Sequence, residues 1–399
     1  MKKGVFLAGI LVLVLVSGPY AHGFMDEGTV RVGHVGILTG PGVDYGIQIV
    51  NGLKIALEEI NEQGGATVKG KKLKLDLAPY VYDSARDVAQ AIGLTRKLTM
   101  SDKVLVVFGP VSSNEAVSVF GTFQRKLDDA SDTGLKIPLM NTSAMRDGLG
   151  EVSPWAFRNA TIERQLLGIS LPKVLNAYGP IKTAAVVYHG WEDYGPAMLK
   201  GVYTPLLEKL GVKVVSADGV HQGDRDYSPL IGKLIRLNPD MLIMLARYDV
   251  GARTMIEAKR QGFRPRLVWA SGMISQELIS TGREAVEGLV MVSSYDATVP
   301  RAAEVAKKFK AATGVELNEF GANSYEGMYL VKWAIEEAGI DNTPASLDQD
   351  RRKVRDALRR VKGFRGLMGT IDMSPSENDT VKEGVILKIA GGKFVIWNP

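Results

Sequence analysis

One apolar run in the middle of the chain is followed at once by turn and helix signals. Val104 to Phe108 are apolar, Gly109-Pro110 follows, and Ser112 and Glu115 come next. Five consecutive apolar residues predict a parallel strand buried on both faces, which Gly-Pro ends. Ser112 and Glu115 have the spacing of a capping box, so we expect a helix to begin there. The stretch also fits a capped helix without a ligand, but a helix N-terminus at the carboxyl end of a strand is where open α/β sheets bind small anions.

Strand and helix patterns alternate along most of the chain. Leu73, Leu75 and Leu77 alternate with polar residues as in a strand, whereas Leu53, Leu57 and Ile60 recur at helical spacing. Such alternation predicts parallel sheets with helical crossovers. The alternating strands and helices fall into two series, separated near 148–159. This predicts an α/β fold of two Rossmann-like lobes with central parallel sheets. We assign 29–147 and 275–362 to lobe 1, and 148–274 and 363–399 to lobe 2.

The beginning of the chain has the pattern of a secretory signal peptide. Lys2 and Lys3 precede an apolar run from Val5 to Val16, and small residues follow near Gly23. We expect residues 1–23 to be cleaved; an uncleaved anchor is the alternative, but the run is short for a membrane span. The chain has no cysteine, which excludes a lipid-modified cysteine and disulfides. The expected location of the mature protein is therefore the periplasm.

Composition and motifs exclude several classes of function. Hydrophobic residues make up 45% of the 399 residues, which is normal for a soluble protein of two domains. The net charge of +5 includes Lys2 and Lys3 and is too small to indicate nucleic-acid binding. The four histidines are scattered without metal-ligand spacing, and no nucleophile elbow, phosphate loop or dinucleotide fingerprint occurs. We expect no metal, no cofactor and no enzymatic activity.

Polar and aromatic residues follow the predicted strands in both lobes. Each of them alone fits a cap or a surface position, but together they occupy equivalent strand ends, and a cleft between lobes is a preferred small-molecule site. Hydroxyls and helix N–H groups suit a carboxylate, and aromatic rings supply apolar walls. These candidates are Tyr45, Ser112, Ser113, 141–144, Tyr194, Arg247 and Tyr248.

A set of motifs resembles the leucine/isoleucine/valine-binding family of periplasmic solute-binding proteins. The resemblance covers almost all of the chain after Thr29, in order and at the spacings of the family. It implies the type I two-lobed fold, joined by a three-strand hinge, which closes on a small ligand and delivers it to the permease subunits of an ABC importer. The motifs are GILTGP (36–41), DYG (44–46), ALEEINEQGG (56–65), FGPVSS (108–113), DYG (193–195) and GDRDYS (223–228).

The resemblance also implies roles for single residues. Ser113 matches the serine that holds the ligand carboxylate, with Ser112 beside it. Ser143 and Ala144 match residues whose backbone groups hold the amino-acid head. Aromatic wall positions fall on Tyr45 and Tyr194, and the tyrosine near the ligand ammonium falls on Tyr248.

Two departures from the family pattern concern the ligand. Met145 stands where amino-acid binders carry a threonine, and 269–273, which includes Gly272, holds no glutamate to face an α-ammonium. Arg247 adds a positive charge nearby. Since a buried ammonium without a counter-charge costs several kcal/mol, we hypothesise a carboxylate ligand without an α-amino group. A branched-chain amino acid is the alternative, with Asp44 or Glu326 supplying the charge.

Three kinds of function remain open at this point. The resemblance favours a monomeric binding protein for an ABC importer, with a small carboxylate or amino-acid-like ligand. A soluble periplasmic sensor of the same fold that signals to a membrane partner is a second reading. An extracytoplasmic enzyme is disfavoured because catalytic groups are missing.

Overall fold

The computed structural model describes residues 27–374 and 376–399, so the predicted signal peptide, 1–23, lies outside the described residues. Strands and helices alternate along most of this part of the chain. The strands are β1 (Thr29–Gly36), β2 (Ala66–Val68), β3 (Lys71–Asp76), β4 (Val81–Asp83), β5 (Val106–Phe108), β6 (Leu139–Asn141), β7 (Ala156–Arg158), β8 (Thr183–His189), β9 (Lys213–Val220), β10 (Met241–Leu245), β11 (Leu267–Ser271), β12 (Val290–Ser293), β13 (Phe364–Arg365), β14 (Thr370–Met373), β15 (Thr380–Val381), β16 (Val385–Ala390) and β17 (Lys393–Ile396).

Most helices connect parallel strands and cover the sheet faces. Among the described residues, no helix combines the length and apolar character that crossing a membrane requires. The helices are α1 (Val43–Glu62), α2 (Val88–Met100), α3 (Ser113–Phe120), α4 (Glu163–Tyr178), α5 (Tyr194–Met198), α6 (Thr204–Lys209), α7 (Ser228–Leu237), α8 (Tyr248–Gln261), α9 (Gln276–Gly282), α10 (Pro300–Thr313), α11 (Glu319–Ala338) and α12 (Leu347–Arg359).

Two largely parallel sheets form two lobes. The first sheet has the order β2-β3-β1-β5-β6-β7, with β4 also paired to β1, and only β2 runs antiparallel to its neighbour. The second has the order β17-β16-β12-β11-β10-β8-β9, with β16 and β17 antiparallel. We call the first sheet with α1, α2, α3, α10, α11 and α12 the first lobe, and the second sheet with α4 to α9 the second lobe. This arrangement confirms the predicted α/β fold class.

The chain crosses between the lobes three times. It leaves the first sheet after β7, returns after β12, and joins the second sheet again after β15. The small sheet of β13, β14 and β15 packs beside the first lobe, since Leu367 and Met373 belong to the first lobe's core. Charged and amide side chains are buried at these crossings, among them the pair of Arg158 and Asp379.

Sheet membership differs from the boundaries assigned from the sequence at three places. Residues 148–158, assigned to lobe 2, contain β7, which pairs with β6 of the first sheet. Residues 275–293, assigned to lobe 1, contain α9 and β12, and β12 pairs with β11 of the second sheet. Residues 363–373 pack on the first lobe. The reason is that strand pairing joins segments distant in sequence, so a local hydrophobic pattern identifies a strand but not the sheet that it joins.

The capping box predicted at Ser112 is present at the start of α3. The Ser112 hydroxyl accepts from the N–H of Glu115 at 3.2 Å, and the Glu115 carboxylate accepts from the N–H of Ser112 at 3.1 Å. Glu115 is fully buried and also accepts from the Ser84 hydroxyl at 2.5 Å. The N-terminus of α3 is therefore held firmly at the carboxyl end of β5.

Candidate ligand-binding site

A cavity lies between the two lobes at the carboxyl ends of their parallel strands. It contains about 510 Å³ of empty space, counting the part that opens to solvent. The segments that follow β1, β4, β5 and β6, together with the start of α11, line it from the first lobe, and the segments at the ends of β8, β10 and β11 line it from the second. This is the position at which α/β sheets bind small molecules, because the loops and helix N-termini of several strands converge there.

Nine of the ten residues proposed from the sequence line this cavity. The first lobe contributes Tyr45, Ser112, Ser113, Ser143, Ala144 and Met145. The second lobe contributes Tyr194, Arg247 and Gly272.

Tyr248, the tenth, does not line the cavity. It is the first residue of α8, and its ring packs edge-on against the ring of Tyr45, with 5.4 Å between the centroids. Its hydroxyl faces the carboxylate of Asp44, which the Ser275 hydroxyl also reaches. Tyr248 thus supports the aromatic wall from behind, because the backbone at the start of α8 directs its side chain toward α1 and away from the cavity.

The hydroxyl and N–H groups at the start of α3 provide hydrogen-bond donors for a ligand. The Ser113 hydroxyl accepts from the N–H of Arg146 at 3.2 Å, which leaves its own hydrogen to donate. Ser113 and Asn114 are the first two residues of the helix, so their N–H groups have no acceptor within it. The helix dipole adds positive potential at this point, and the arrangement suits a carboxylate.

The backbone donors of Ser143 and Ala144 are engaged within the protein. Both N–H groups donate to the side-chain oxygen of Asn141, at 3.1 and 2.7 Å, and the Ser143 hydroxyl donates to the carbonyl of Val111 at 2.8 Å. Arg158 donates to the carbonyl of Ala144 at 3.2 Å. These contacts fix the shape of the loop after β6. Because its polar groups are already bonded within the protein, Ser143 and Ala144 form part of the cavity wall and do not serve as hydrogen-bond donors to a ligand.

A group of hydrogen-bonded side chains lies behind the ring of Tyr194. Its hydroxyl bonds to Ser271, and Ser271 donates to the carboxylate of Glu163 at 2.6 Å. Tyr203 donates to the other oxygen of Glu163 at 3.1 Å. Burial raises the pKa of Glu163 to about 7. The Tyr194 ring therefore presents an apolar face to the cavity while its polar tip is satisfied in the second lobe.

Six lining residues were not identified from the sequence. Ala246 directly follows β10, His189 is the last residue of β8, and Val111 lies in the turn after β5, so the same strand-end rule would have included them. The others depend on elements that the sequence did not reveal: Arg86 follows the three-residue strand β4, Glu192 lies in the loop before α5, and Phe320 is the second residue of α11.

The missed residues include Arg86, Glu192 and His189, which form a group of charged and polar side chains with Arg247. Arg86 donates to Glu192 Oε1 through Nη2 at 2.7 Å and Nε at 3.2 Å, and Arg247 Nη1 lies 3.8 Å from the same oxygen. His189 Nδ1 lies 3.6 Å from the other oxygen. Burial opposes ionisation of Glu192, but His189 and Arg86 outweigh it and lower its pKa to about 2. Glu192 is thus an ionised carboxylate whose two oxygens both face cationic or N–H groups.

The two acids that were considered as counter-charges for an ammonium do not line the cavity. Asp44 lies beside Tyr248, and burial raises its pKa. Glu326 lies among the crossings, where it pairs with Lys382 at 3.0 Å and accepts from the N–H of Leu367 at 2.7 Å. Of the described residues, no group of three or more His, Cys, Asp and Glu side chains is arranged to hold a metal ion.

Fold and cavity together define a two-lobed binding protein for small molecules. The chain belongs to the periplasmic binding protein family, whose family model matches residues 29–393. A Leu/Ile/Val-binding protein of Rhizobium johnstonii is 25% identical over 392 residues, covering 98% of each chain. The members of this family are solute-binding proteins and not enzymes.

Two solved structures show the same fold. A leucine-binding protein of Thermotoga maritima has a TM-score of 0.77 at 22% identity and covers 92% of this chain and 98% of its own. An ABC transporter solute-binding protein of R. palustris, in complex with benzoate, has a TM-score of 0.75 at 19% identity and covers 92% of this chain and 95% of its own.

Proposed function

We propose that this protein is the extracytoplasmic solute-binding subunit of an ABC importer and that it captures a small carboxylate without an α-amino group. Residues 1–23 would direct it to the periplasm and be cleaved, and the permease subunits would receive the ligand from a monomer. The observation that carries the proposal is the pairing of a free helix N-terminus at Ser113 with a cavity in which the lining carboxylate is already neutralised.

The start of α3 provides the seat for the ligand carboxylate. The Ser113 hydroxyl and the first N–H groups of the helix donate toward the cavity, with the dipole in the favourable sense. Tyr45, Tyr194 and Phe320 provide apolar surface for the body of the ligand, and Met145 extends it. A ligand with one carboxylate and an apolar remainder matches both parts.

The charges of the cavity disfavour an α-ammonium. Glu192 is the acid that lines the cavity, and Arg86 and Arg247 stand against it, so an added cation would meet two guanidinium groups. Burying an ammonium without its own counter-charge costs several kcal/mol. The benzoate complex of the R. palustris protein supports a carboxylate of this kind, whereas the leucine-binding relatives support the alternative of a branched-chain amino acid.

A matched pair of ligands tests the proposal. Leucine and isocaproate share a carbon skeleton and a carboxylate and differ in the α-amino group, so calorimetry with both isolates the effect of the ammonium. We expect isocaproate or benzoate to bind at least about tenfold more tightly than leucine and valine, since tenfold corresponds to about 1.4 kcal/mol. Tighter binding of leucine than of isocaproate would overturn the assignment of the ligand class.

Delivery to an importer has a separate test. Cells that lack this protein should lose high-affinity uptake of the labelled ligand, and the protein expressed from a plasmid should restore it. The N-terminal sequence of the protein recovered from the periplasm should begin close to residue 24. Unchanged uptake in the deletion strain would contradict the transport role while leaving the binding result intact.

A further inference from the structure

The ion pair of Arg86 and Glu192 joins the two lobes at the wall of the cavity. Arg86 follows β4 of the first sheet, and Glu192 follows β8 of the second. Both side chains are largely buried, with 18% and 9% of their surface exposed. Opening of the cleft would separate the two groups and return both to water, so the pair exists only when the lobes are together.

The backbone around Arg86 is held in an unusual conformation that points this side chain across the cleft. Ala85 and Arg86 both have positive φ angles, 48° and 65°, which residues other than glycine rarely adopt. The turn is fixed on one side by Ser84, whose N–H donates to the carbonyl of Gly36 at 2.7 Å, and by Asp83, which accepts from the N–H of Ala85 at 2.8 Å. Strained backbone that is held by its surroundings indicates a functional position.

The second lobe presents Glu192 in an equally fixed environment. The N–H of Arg247 donates to His189 Nε2 at 3.1 Å, so the ring hydrogen of a neutral His189 lies on Nδ1, toward Glu192. Trp191 packs against the His189 ring, with 4.5 Å between the centroids. Arg247 is itself held by Asp249, at 2.8 and 2.9 Å.

We propose that Arg86 and Glu192 form a latch that sets the ligand affinity by stabilising the closed arrangement of the lobes. This inference rests on the proposed function, because a latch acts only if the lobes close on a ligand. Both residues are positioning residues. A ligand shifts the balance between open and closed states only by its preference for one of them, so a change in the latch changes the apparent affinity even without a ligand contact.

The charges that remain in each variant distinguish the latch from a direct contact between Arg86 and the ligand. Glu192→Gln would replace the carboxylate with a neutral amide, so Arg86 would lose its counter-charge while it lies close to the like charge of Arg247, which opposes closure. Arg86→Met would leave Glu192 still facing Arg247 and His189, so its effect should be smaller. The double variant removes both charges of the pair and should recover part of the loss. A direct contact of Arg86 with the ligand carboxylate predicts instead that Arg86→Met is the more harmful single change.

Calorimetry on the three variants supplies the first measurement. The ligand is whichever of isocaproate and benzoate binds the unmodified protein more tightly. We expect Glu192→Gln to weaken its binding at least about tenfold and Arg86→Met to weaken it by a smaller factor. The double variant should bind it more tightly than Glu192→Gln does. Arg260, whose side chain is 64% exposed, pairs with Glu257 within α8, and this pair in a single lobe provides a control with the same substitutions. Each control variant should stay within about twofold of the unmodified protein. The latch is refuted if Arg86→Met is as harmful as Glu192→Gln, or if the double variant is no better than Glu192→Gln.

Spin labels on the two lobes supply the second measurement, which does not require a known ligand. Because the chain contains no cysteine, Arg96→Cys on α2 and Glu208→Cys on α6 give two specific labels at exposed positions. The fraction of molecules with the short, closed distance should fall in Glu192→Gln and recover in the double variant. Equal closed fractions in all variants would overturn the latch. A further outcome is that the unmodified protein binds neither isocaproate nor benzoate while the closed fractions of the variants follow the predicted order. In that case the proposed ligand class fails and the latch stands.

Discussion

The hydroxyl of Tyr45 in the first lobe donates a hydrogen bond to the backbone carbonyl of Gly272 in the second lobe at 2.8 Å. The Tyr45 ring is buried between Tyr248 and Phe320, with centroid distances of 5.4 and 4.7 Å. Gly272 has a φ of 74°, which favours glycine and turns the carbonyl after β11 toward the other lobe. One side chain therefore lines the cavity and also joins the two lobes.

Replacing Tyr45 by phenylalanine should weaken ligand binding without disturbing the aromatic wall. The ring contacts remain, while the hydrogen bond that forms across the cleft is lost, which costs about 1 kcal/mol or a factor of about five in the dissociation constant. Calorimetry with the tightest carboxylate measures the change. Tyr329→Phe is a suitable control, because its hydroxyl bonds to Glu59 within the first lobe at 3.0 Å. Wild-type affinity in Tyr45→Phe would show that this bond does not contribute to closure.

Ser112 and Ser113 are adjacent, but replacing each by alanine should affect a different property of the protein: stability for Ser112 and ligand affinity for Ser113. Ser112 caps α3 and bonds to the buried Glu115, so Ser112→Ala should lower the free energy of unfolding by about 1 to 2 kcal/mol. Ser113→Ala keeps the cap but removes the hydroxyl that faces the cavity. Since a hydrogen bond to a charged group contributes about 1.5 kcal/mol or more, it should weaken carboxylate binding about tenfold.

Urea unfolding and calorimetry on both serine variants separate the two roles. The expected pattern is a loss of stability in Ser112→Ala and a loss of affinity with nearly unchanged stability in Ser113→Ala. A Ser113→Ala protein that binds the carboxylate normally would remove this serine from the proposed seat.

Arg158 and Asp379 form an ion pair at the crossings that is almost inaccessible to solvent, with 0% and 2% of their side-chain surface exposed. Arg158 also donates to the carbonyl of Arg146 at 2.6 Å, which holds the loop after β6 in place. Removing one partner of a buried pair leaves a charge without compensation, so Arg158→Met should lower the free energy of unfolding by about 3 kcal/mol or more. Urea unfolding measures this loss.

The pair of Arg146 and Asp193 serves as the exposed comparison for Arg158. Asp193→Asn should change the free energy of unfolding by less than about 1 kcal/mol, because exposed ion pairs contribute little. Equal effects of Asp193→Asn and Arg158→Met would contradict the importance of burial.

The strand-end pattern predicted most of the site because the carboxyl ends of parallel strands lie at one edge of each sheet. Ser112, Ser143, Tyr194 and Arg247 all follow strands or begin helices whose apolar patterns are clear in the sequence. The resemblance to a known family then indicated that the two edges face each other. A local pattern and a resemblance were sufficient for these positions.

Other features depend on contacts between distant segments and could not be predicted. Arg86 enters the site only because β4, a three-residue strand, pairs with the end of β1 and directs the next turn across the cleft. The sheet that contains β12 is decided by its pairing with β11 and β16, and no local property of 290–293 indicates it. Arg247 was a candidate because of its position after β10, but Arg86 and Glu192, which come from different lobes, were not.

Glu163 should make the stability of the protein depend on pH near neutrality. Its carboxylate is buried behind Tyr194, and burial raises its pKa from 4.5 to about 7. The folded state thus holds this proton more tightly than the unfolded state, so the contribution to stability is complete below about pH 4.5 and is lost as the pH rises through about 7. Glu163→Gln lacks this titration, and the difference in unfolding free energy between the two proteins should therefore change by on the order of 2 kcal/mol between about pH 5 and pH 8. Urea unfolding at intervals across this range measures the difference. A constant difference at every pH would show that Glu163 does not titrate there, whereas the expected trend favours the unmodified protein at low pH and the variant at high pH.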